Sequence, residues 1–296
     1  MLNSDRTMTV TSPWTKYTNP SSVAGVPSAN PSRCGSPGTA AGQLGSAGGA
    51  RIPVLANNLA YVQDVPGSGD PNAWSGTPTN FSCVNGGAGW TFNGAGYPAS
   101  GETPADGWFT YNSSTSQMTW STSNPAYGCR NGDVFVRGVQ SGAMTIAAEN
   151  YVYVTGNITY ADPAHDILGL VGNDAVLVWN PNTGNPTSPR NLLTDDGRTV
   201  DAAILSVQHT FQVQNYAVGG PRGTLTVDGS IAQKYRGPVA TSTGPTVVTG
   251  YLKDYRYDSR FATTTPPKYL EPVTVSYGVS QYAAVAPAYA ADGAAQ

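Results

Sequence analysis

Val154-Thr155-Gly156-Asn157-Ile158 and, later in the chain, Val227-Asp228-Gly229-Ser230-Ile231 share one pattern, Val-x-Gly-x-Ile. A glycine between two apolar positions lets the backbone turn tightly or take φ > 0 while both neighbours still point inward. Stacked corners of this kind suit a solenoid, in which each coil pairs only with the coils above and below and the interior is a column of Val, Ile and Leu. The surroundings agree. Short β-rich runs lie between Gly, Asn and Asp, among them Met144-Thr145-Ile146-Ala147, Tyr151-Val152-Tyr153-Val154, Ala175-Val176-Leu177-Val178-Trp179, Ala202-Ala203-Ile204-Leu205 and Thr224-Leu225-Thr226-Val227. Each is too short to stand alone. The pattern predicts an all-β chain built as a β-helix with Gly156 and Gly229 at its corners. The alternative is an antiparallel β-sandwich, which also has many short strands at regular spacing; the glycine corners favour the helix.

Composition points the same way. Gly 35 and Pro 23 recur through the 296 residues, and these cost about 1 and 3 kcal/mol each inside an α-helix. Charged residues make up only 11%, and 15 basic against 18 acidic residues give a formal charge of −3, so no basic surface is available to hold a phosphate backbone. Nucleic acid is therefore not an expected partner. With 39% hydrophobic and 10% aromatic residues the chain can bury a core, unlike a disordered polypeptide.

Four regions follow. Residues 1–51 are rich in Ser, Pro and Gly and read as extended or mobile chain, with order expected to begin near Ile52. Residues 52–131 form a loop-rich aromatic lobe packed on the solenoid. Within it, Gly107-Trp108-Phe109-Thr110-Tyr111 and Gln117-Met118-Thr119-Trp120-Ser121 alternate as two half-buried strands of a hairpin. Residues 132–271 carry the β-helix and a C-terminal cap, and 272–296 an Ala-rich tail. The start, Met1-Leu2-Asn3-Ser4-Asp5-Arg6, lacks the basic-then-apolar order of a signal peptide, and the preferred reading is a mature chain or fragment that has lost an upstream leader.

The cysteines Cys34, Cys83 and Cys129 form no CxxC pair and lie far in sequence from both histidines, so a zinc or redox motif is not expected. Cys83 and Cys129 both sit in turn-rich, low-charge surroundings and are expected to pair. Such a bridge restricts the unfolded chain by roughly 4 kcal/mol and implies an oxidising compartment. Separate thiols, or pairing with Cys34, remain open at this level.

Catalytic chemistry has few carriers. His209 lies beside a strand, in Gln208-His209-Thr210-Phe211, and reads as a surface residue. Asp162, His165 and Asp166, in Asp162-Pro163-Ala164-His165-Asp166, would grip a cation if the loop curled. Bends that use Asp to bond their own backbone account for the same composition, and metal is not assigned. Asp195, Asp196 and Asp201, with Arg190 and Arg198 near, are the carboxylates a lyase or glycosidase would need, although Asp195-Asp196-Gly197 is foremost a turn signal. Lys253, Asp254, Tyr255, Arg256, Tyr257, Asp258 and Arg260 crowd five charges and two tyrosines into one stretch of a charge-poor chain. This strip is expected to cover the open end of the last coil, or else to bind sugar or protein.

From about residue 52 the order of motifs resembles a family. It runs Ile52-Pro53, Tyr61-Val62-Gln63, Gly132-Asp133-Val134-Phe135-Val136-Arg137-Gly138, Ala147-Ala148-Glu149-Asn150, Asp166-Ile167-Leu168-Gly169-Leu170-Val171, Gly229-Ser230-Ile231-Ala232-Gln233 and Gly250-Tyr251-Leu252-Lys253-Asp254-Tyr255. The series is similar to the surface-exposed β-helical region of minor-pilin-like bacterial proteins that accompany type IV pilus genes. The resemblance implies a right-handed, single-stranded β-helix carried outside the cell. It implies no enzymatic activity and no cofactor, and partners among pilus or cell-envelope proteins or surface glycans. Family members are anchored by a hydrophobic N-terminal helix, which is not present before residue 52, so membrane contact would run only through a missing upstream segment.

Overall fold

The computed structural model describes residues 1–12, 15, 31–54, 58–64, 132–180, 191 and 193–269, with the backbone of short strands between 81 and 121. The chain is all-β. β1 (Leu2–Asn3), β2 (Thr7–Val10), β3 (Ala50–Pro53) and β4 (Asn58–Val62) come first. β5 (Phe81–Cys83), β6 (Trp90–Phe92) and β7 (Ala95–Tyr97) pair among themselves, and β8 (Trp108–Asn112) and β9 (Gln117–Ser121) form an antiparallel hairpin where the alternation predicts one. Then follow β10 (Val134–Gln140), β11 (Ala143–Ala148), β12 (Tyr151–Tyr160), β13 (Ile167–Gly172), β14 (Ala175–Val178), β15 (Arg198–Ser206) and β16 (Phe211–Val213). The last three are β17 (Pro221–Gln233), β18 (Ala240–Thr243) and β19 (Thr246–Tyr257).

Among the described residues, fourteen of these strands join one large mixed, unclosed sheet. Its central pairings are parallel and fall into three ladders. One stacks Ile158, Val200, Val227 and Tyr255. A second stacks Val134, Val152, Val176 and Phe211, with Val136, Val154, Val178 and Val213 two residues further on. The third stacks Ala60, Ile146, Leu170, Ile204 and Ile231. The long strands β12, β15 and β17 each bend and serve more than one ladder. Side chains from all three ladders meet in one apolar cluster, in which Val152, Val154, Ile158, Leu170, Val176, Val200, Ile204 and Leu225 are completely buried. Area removed from water at roughly 25 cal/mol per Å² is what such a column contributes to stability.

A second, smaller cluster lies on the other face of the second ladder. Phe135 stacks on Tyr153 with ring centroids 5.0 Å apart, and Trp179 meets Tyr153 edge-on at 5.5 Å. With both faces covered, β14 reads as the unbroken apolar run Ala175-Val176-Leu177-Val178 rather than an alternation.

The two Val-x-Gly-x-Ile corners are not equivalent, which corrects the expectation drawn from them. Val154 is level with Val136 and Val178, whereas Val227 is level with Val200 and Ile158. The repeat that does superpose is Val200-Asp201-Ala202-Ala203-Ile204 on Val227-Asp228-Gly229-Ser230-Ile231. Neither Gly156 nor Gly229 takes a positive φ. Gly229 is required for close approach instead: a Cβ there would lie 1.9 Å from the Ala202 carbonyl oxygen. Positive φ is used at Gly138 (φ 117), where the backbone of Leu2 crosses so closely that a Cβ would stand 2.1 Å from its oxygen.

Order begins well before Ile52, a second correction. β1 pairs parallel with β10 through Leu2 and Gly138, and β2 runs antiparallel to both β1 and β3. Leu2 enters the main core, and Leu44, Ala50 and Ile52 form a small core of their own. The apolar residues that dock are single, separated by Ser, Gly and Thr, so no period betrays them. At the opposite end β18 pairs antiparallel with the first half of β19. The chain then turns through a 3₁₀ segment, Ser259–Ala262, and runs back over β13 and β11. There Thr145 Oγ1 donates to the Pro267 carbonyl, and Tyr269 and Pro266 fill the space over Gly169.

Candidate functional site

The loop that carries Asp162, His165 and Asp166 is held by its own backbone. Asp166 is buried, and its two carboxylate oxygens accept from the Gly142 N–H at 2.6 Å and the Asp162 N–H at 2.7 Å. Asp162 accepts from the Ala164 N–H at 3.0 Å and lies 2.7 Å from Nδ1 of the exposed His165. That imidazole, with the Ala164 N–H, holds the Asp162 carboxyl below its ordinary pKa. Among the described residues no three His, Cys, Asp or Glu side chains gather as metal ligands.

Asp195 and Asp196 face two buried arginines. Asp195 lies 3.1 Å from Nη2 of Arg198 and 3.4 Å from Nη2 of Arg222, and Asp196 is 3.7 Å from Nη1 of Arg222. The arginine side chains are 2% and 3% exposed, so the half-exposed Asp195 and the largely exposed Asp196 serve as the counter-ions that burial demands. Arg222 also donates to the Leu193 carbonyl at 2.6 Å and lies 6.0 Å from the Tyr251 ring. Sequence reasoning passed over Arg222. Its signal is a lone arginine between Gly-Gly-Pro and an apolar strand.

Asp201 separates from Asp195 and Asp196 and joins a different face. Its strand neighbour in register is Asp228, one repeat later. Adjacent strands lie roughly 4.8 Å apart, and like charges in that position repel. Beside them, Arg260 grips Asp258 through Nε and Nη2, the latter at 2.6 Å, and donates from Nη1 to the Asp166 carbonyl at 2.9 Å. Its guanidinium sits 5.1 Å from the Tyr160 ring. Burial raises the Asp201 pKa; the N–H of Tyr160 opposes this, Asp228 adds to it, and the rise prevails. Asp258 behaves oppositely: burial pushes its carboxyl up, but the hydrogen bonds and charge of Arg260 bring it below the ordinary value.

Asp201 therefore couples folding to pH. The folded state holds this proton more tightly than the unfolded chain does, so ionisation costs stability as pH rises from the ordinary carboxylate range through the raised folded value. Asp201→Asn, which keeps an acceptor for the Tyr160 N–H, is expected to raise Tm modestly at neutral pH. The gain should fade as pH drops below the ordinary Asp range. Calorimetry at neutral and acidic pH checks this, and an equal gain at both would contradict it.

The strip on β19 divides by face. Lys253 and Tyr255 are level with the buried Leu225 and Val227 and so lie across the end of the apolar column. Asp254 and Arg256 point the other way and pair at 2.6 Å. That is the face of Asp201 and Asp228, since Arg256 is level with Asp228, and Arg260 and Asp258 adjoin it. Phe211, Ile231, Gln233, Arg236, Lys253 and Tyr255 line a groove of about 430 Å³ at this end. Burial, with Arg236 adjacent, lowers the Lys253 pKa, and burial pushes the Tyr255 hydroxyl up to about 12. The His209 backbone carbonyl accepts from the N–H groups of Lys234 and Tyr235, a coil role.

Cys34 closes a short helix, Pro31–Cys34, as a free thiol, while the expected Cys83–Cys129 bridge falls outside the described residues, as Arg190 and the lobe's side chains from 65 to 131 do. No protein-family model matches this chain, and no curated protein and no solved structure matches it either. No helix among the described residues is long and apolar enough to cross a membrane.

Proposed function

We propose that the chain is a right-handed β-helix displayed outside the cell, a non-enzymatic structural or adhesion-related component associated with type IV pili or the cell envelope. The observation that carries this reading is the in-register stacking of Val200-Asp201-Ala202-Ala203-Ile204 on Val227-Asp228-Gly229-Ser230-Ile231 within three parallel ladders around one core. Parallel neighbours at successive levels are what a coiled solenoid produces, whereas a sandwich is built from antiparallel pairs. Such a body presents long side-chain rows to the exterior, and the acids at 162–166 and 195–196 are engaged in holding turns and buried arginines. Antibody labelling of intact cells that produce the chain, with affinity capture from sheared surface material, tests the proposal. Surface labelling with co-capture of pilus or envelope proteins is expected. Label only in permeabilised cells would overturn it.

A second reading rests on one observation, the register pair Asp201 and Asp228 with a raised carboxyl at Asp201. It would make the same scaffold a carbohydrate-active enzyme, since two carboxyl groups on neighbouring strands stand near the roughly 5 Å separation that glycoside cleavage with retention uses. Release of reducing ends from acidic or neutral polysaccharides, lost in Asp228→Asn, would establish it. Absence of turnover across such a panel would remove it.

A further inference from the structure

Among the described residues, the second half of β19 has an open outer edge. Among the described residues β18 covers only Thr246–Gly250, and no strand lies beside Leu252–Tyr257 on the side away from β17. The orientation of the backbone along this edge follows from one hydrogen bond. Asp258 N–H donates to the Gly229 carbonyl at 3.0 Å, and Gly229 is level with Tyr257. In a parallel ladder, bonding alternates along the strand, so the N–H and C=O groups of Asp254 and Arg256 also turn toward β17. Those of Lys253, Tyr255 and Tyr257 therefore face outward, unpaired by any described strand. Tyr251 obeys the same parity, donating outward to the Val239 carbonyl at 2.9 Å. Leu252, Tyr255 and Tyr257 are 55%, 40% and 64% exposed, a concentration of apolar surface on an unpaired edge.

We propose that two copies of this chain associate through β19, antiparallel, about a two-fold axis at Tyr255. The register is chosen by the side chains. With Tyr255 opposite the partner's Tyr255, Lys253 stands opposite the partner's Tyr257, and Asp254 opposite the partner's Arg256. Every facing pair then joins residues of the same parity, so the outward N–H and C=O groups of Lys253, Tyr255 and Tyr257 meet outward groups. Sliding by one permitted step sets Asp254 against the partner's Asp254, or Arg256 against the partner's Arg256, and like charges directly opposite are destabilising. The sequence Lys253-Asp254-Tyr255-Arg256-Tyr257 is thus complementary to itself in reverse, which is what an isologous interface requires. The partner's Tyr255 extends the stack of Ile158, Val200, Val227 and Tyr255 beyond the last coil.

Sedimentation velocity over a micromolar concentration series tests this, beside circular dichroism to show that each variant is folded. The unchanged chain is expected at twice the monomer mass. Asp254→Arg and Arg256→Asp, both on exposed side chains, should each weaken the dimer on the order of tenfold or more, because symmetry applies each substitution twice. The double variant Asp254→Arg/Arg256→Asp should dimerise again, and an equimolar mixture of the two single variants should form a heterodimer. Hydrogen exchange on the unchanged chain gives a variant-independent measure: amides of Lys253, Tyr255 and Tyr257 should gain protection as concentration rises, while those of Asp254 and Arg256 stay as they were. A chain that remains monomeric at the highest concentration, or single variants that dimerise as well as the unchanged chain, would overturn the proposal.

Discussion

Gly229→Ala is expected to destabilise the protein by about 3 kcal/mol, and Gly229→Val to prevent folding, because the first added carbon has nowhere to go. A Cβ at this position meets the Ala202 carbonyl oxygen at 1.9 Å and its carbon at 2.8 Å. Both atoms belong to the backbone of the neighbouring strand β15, so relief requires separating two strands that share nine register pairs. Overpacking in well-filled interiors typically costs 1–3 kcal/mol, and a backbone contact lies at the upper end of that range. Gly156→Ala is the internal comparison. Its nearest neighbours are Cβ and Cδ of Arg137 at 3.0 and 3.1 Å, and part of that side chain can swing aside. Urea denaturation of the two alanine variants compares them directly. Equal midpoints for both would show that the bend at Gly229 yields more readily than its geometry implies.

Trp179→Ala should cost about 3–5 kcal/mol, the range for removing a large aromatic side chain from a packed interior. Trp179 is completely buried and meets Tyr153 edge-on at 5.5 Å and Phe135 at 6.2 Å, so truncation leaves both rings facing a void. Trp179→Phe retains an aromatic edge and should lose much less. Denaturation midpoints rank the two variants, and near-ultraviolet circular dichroism reports whether the Phe135–Tyr153 stack persists. A small loss in Trp179→Ala would mean that this outer cluster contributes little beyond what the main column supplies.

These two positions differ in how far the sequence revealed them. Ala175-Val176-Leu177-Val178-Trp179 is plainly a buried strand from its unbroken apolar character. Gly229 is legible as a bend, but the reason for it is not. The expectation was conformational freedom, and the structure assigns close approach, which depends on a strand one repeat earlier. The same limitation explains the mismatched corners. Val-x-Gly-x-Ile is a local pattern, whereas register is a relation between strands, and it aligns Val227 with Val200 and Ile158 instead of Val154. The repeat Val200-Asp201-Ala202-Ala203-Ile204 was visible all along. It lacks the glycine that drew attention to its partner.

The candidate chemistry divides in the same manner. Asp162 and Asp166 in a bend are readable because such residues bond nearby backbone. That Asp195 and Asp196 neutralise the buried Arg198 and Arg222 is not, since Arg222 comes from a different strand. The grouping of Asp201, Asp228, Asp258 and Arg260 likewise assembles residues far apart in the chain.

The sequence by itself determined a β-rich chain without long helices, because glycine, proline and short β-branched runs settle local conformation wherever they stand. It also placed the hairpin at 108–121 and the dense charges of 253–260. Only the tertiary structure decided which valine stands above which, that residues 2–10 join the sheet, and where the acids gather. Those outcomes depend on backbone hydrogen bonding and packing between segments remote in sequence, and no local pattern records them.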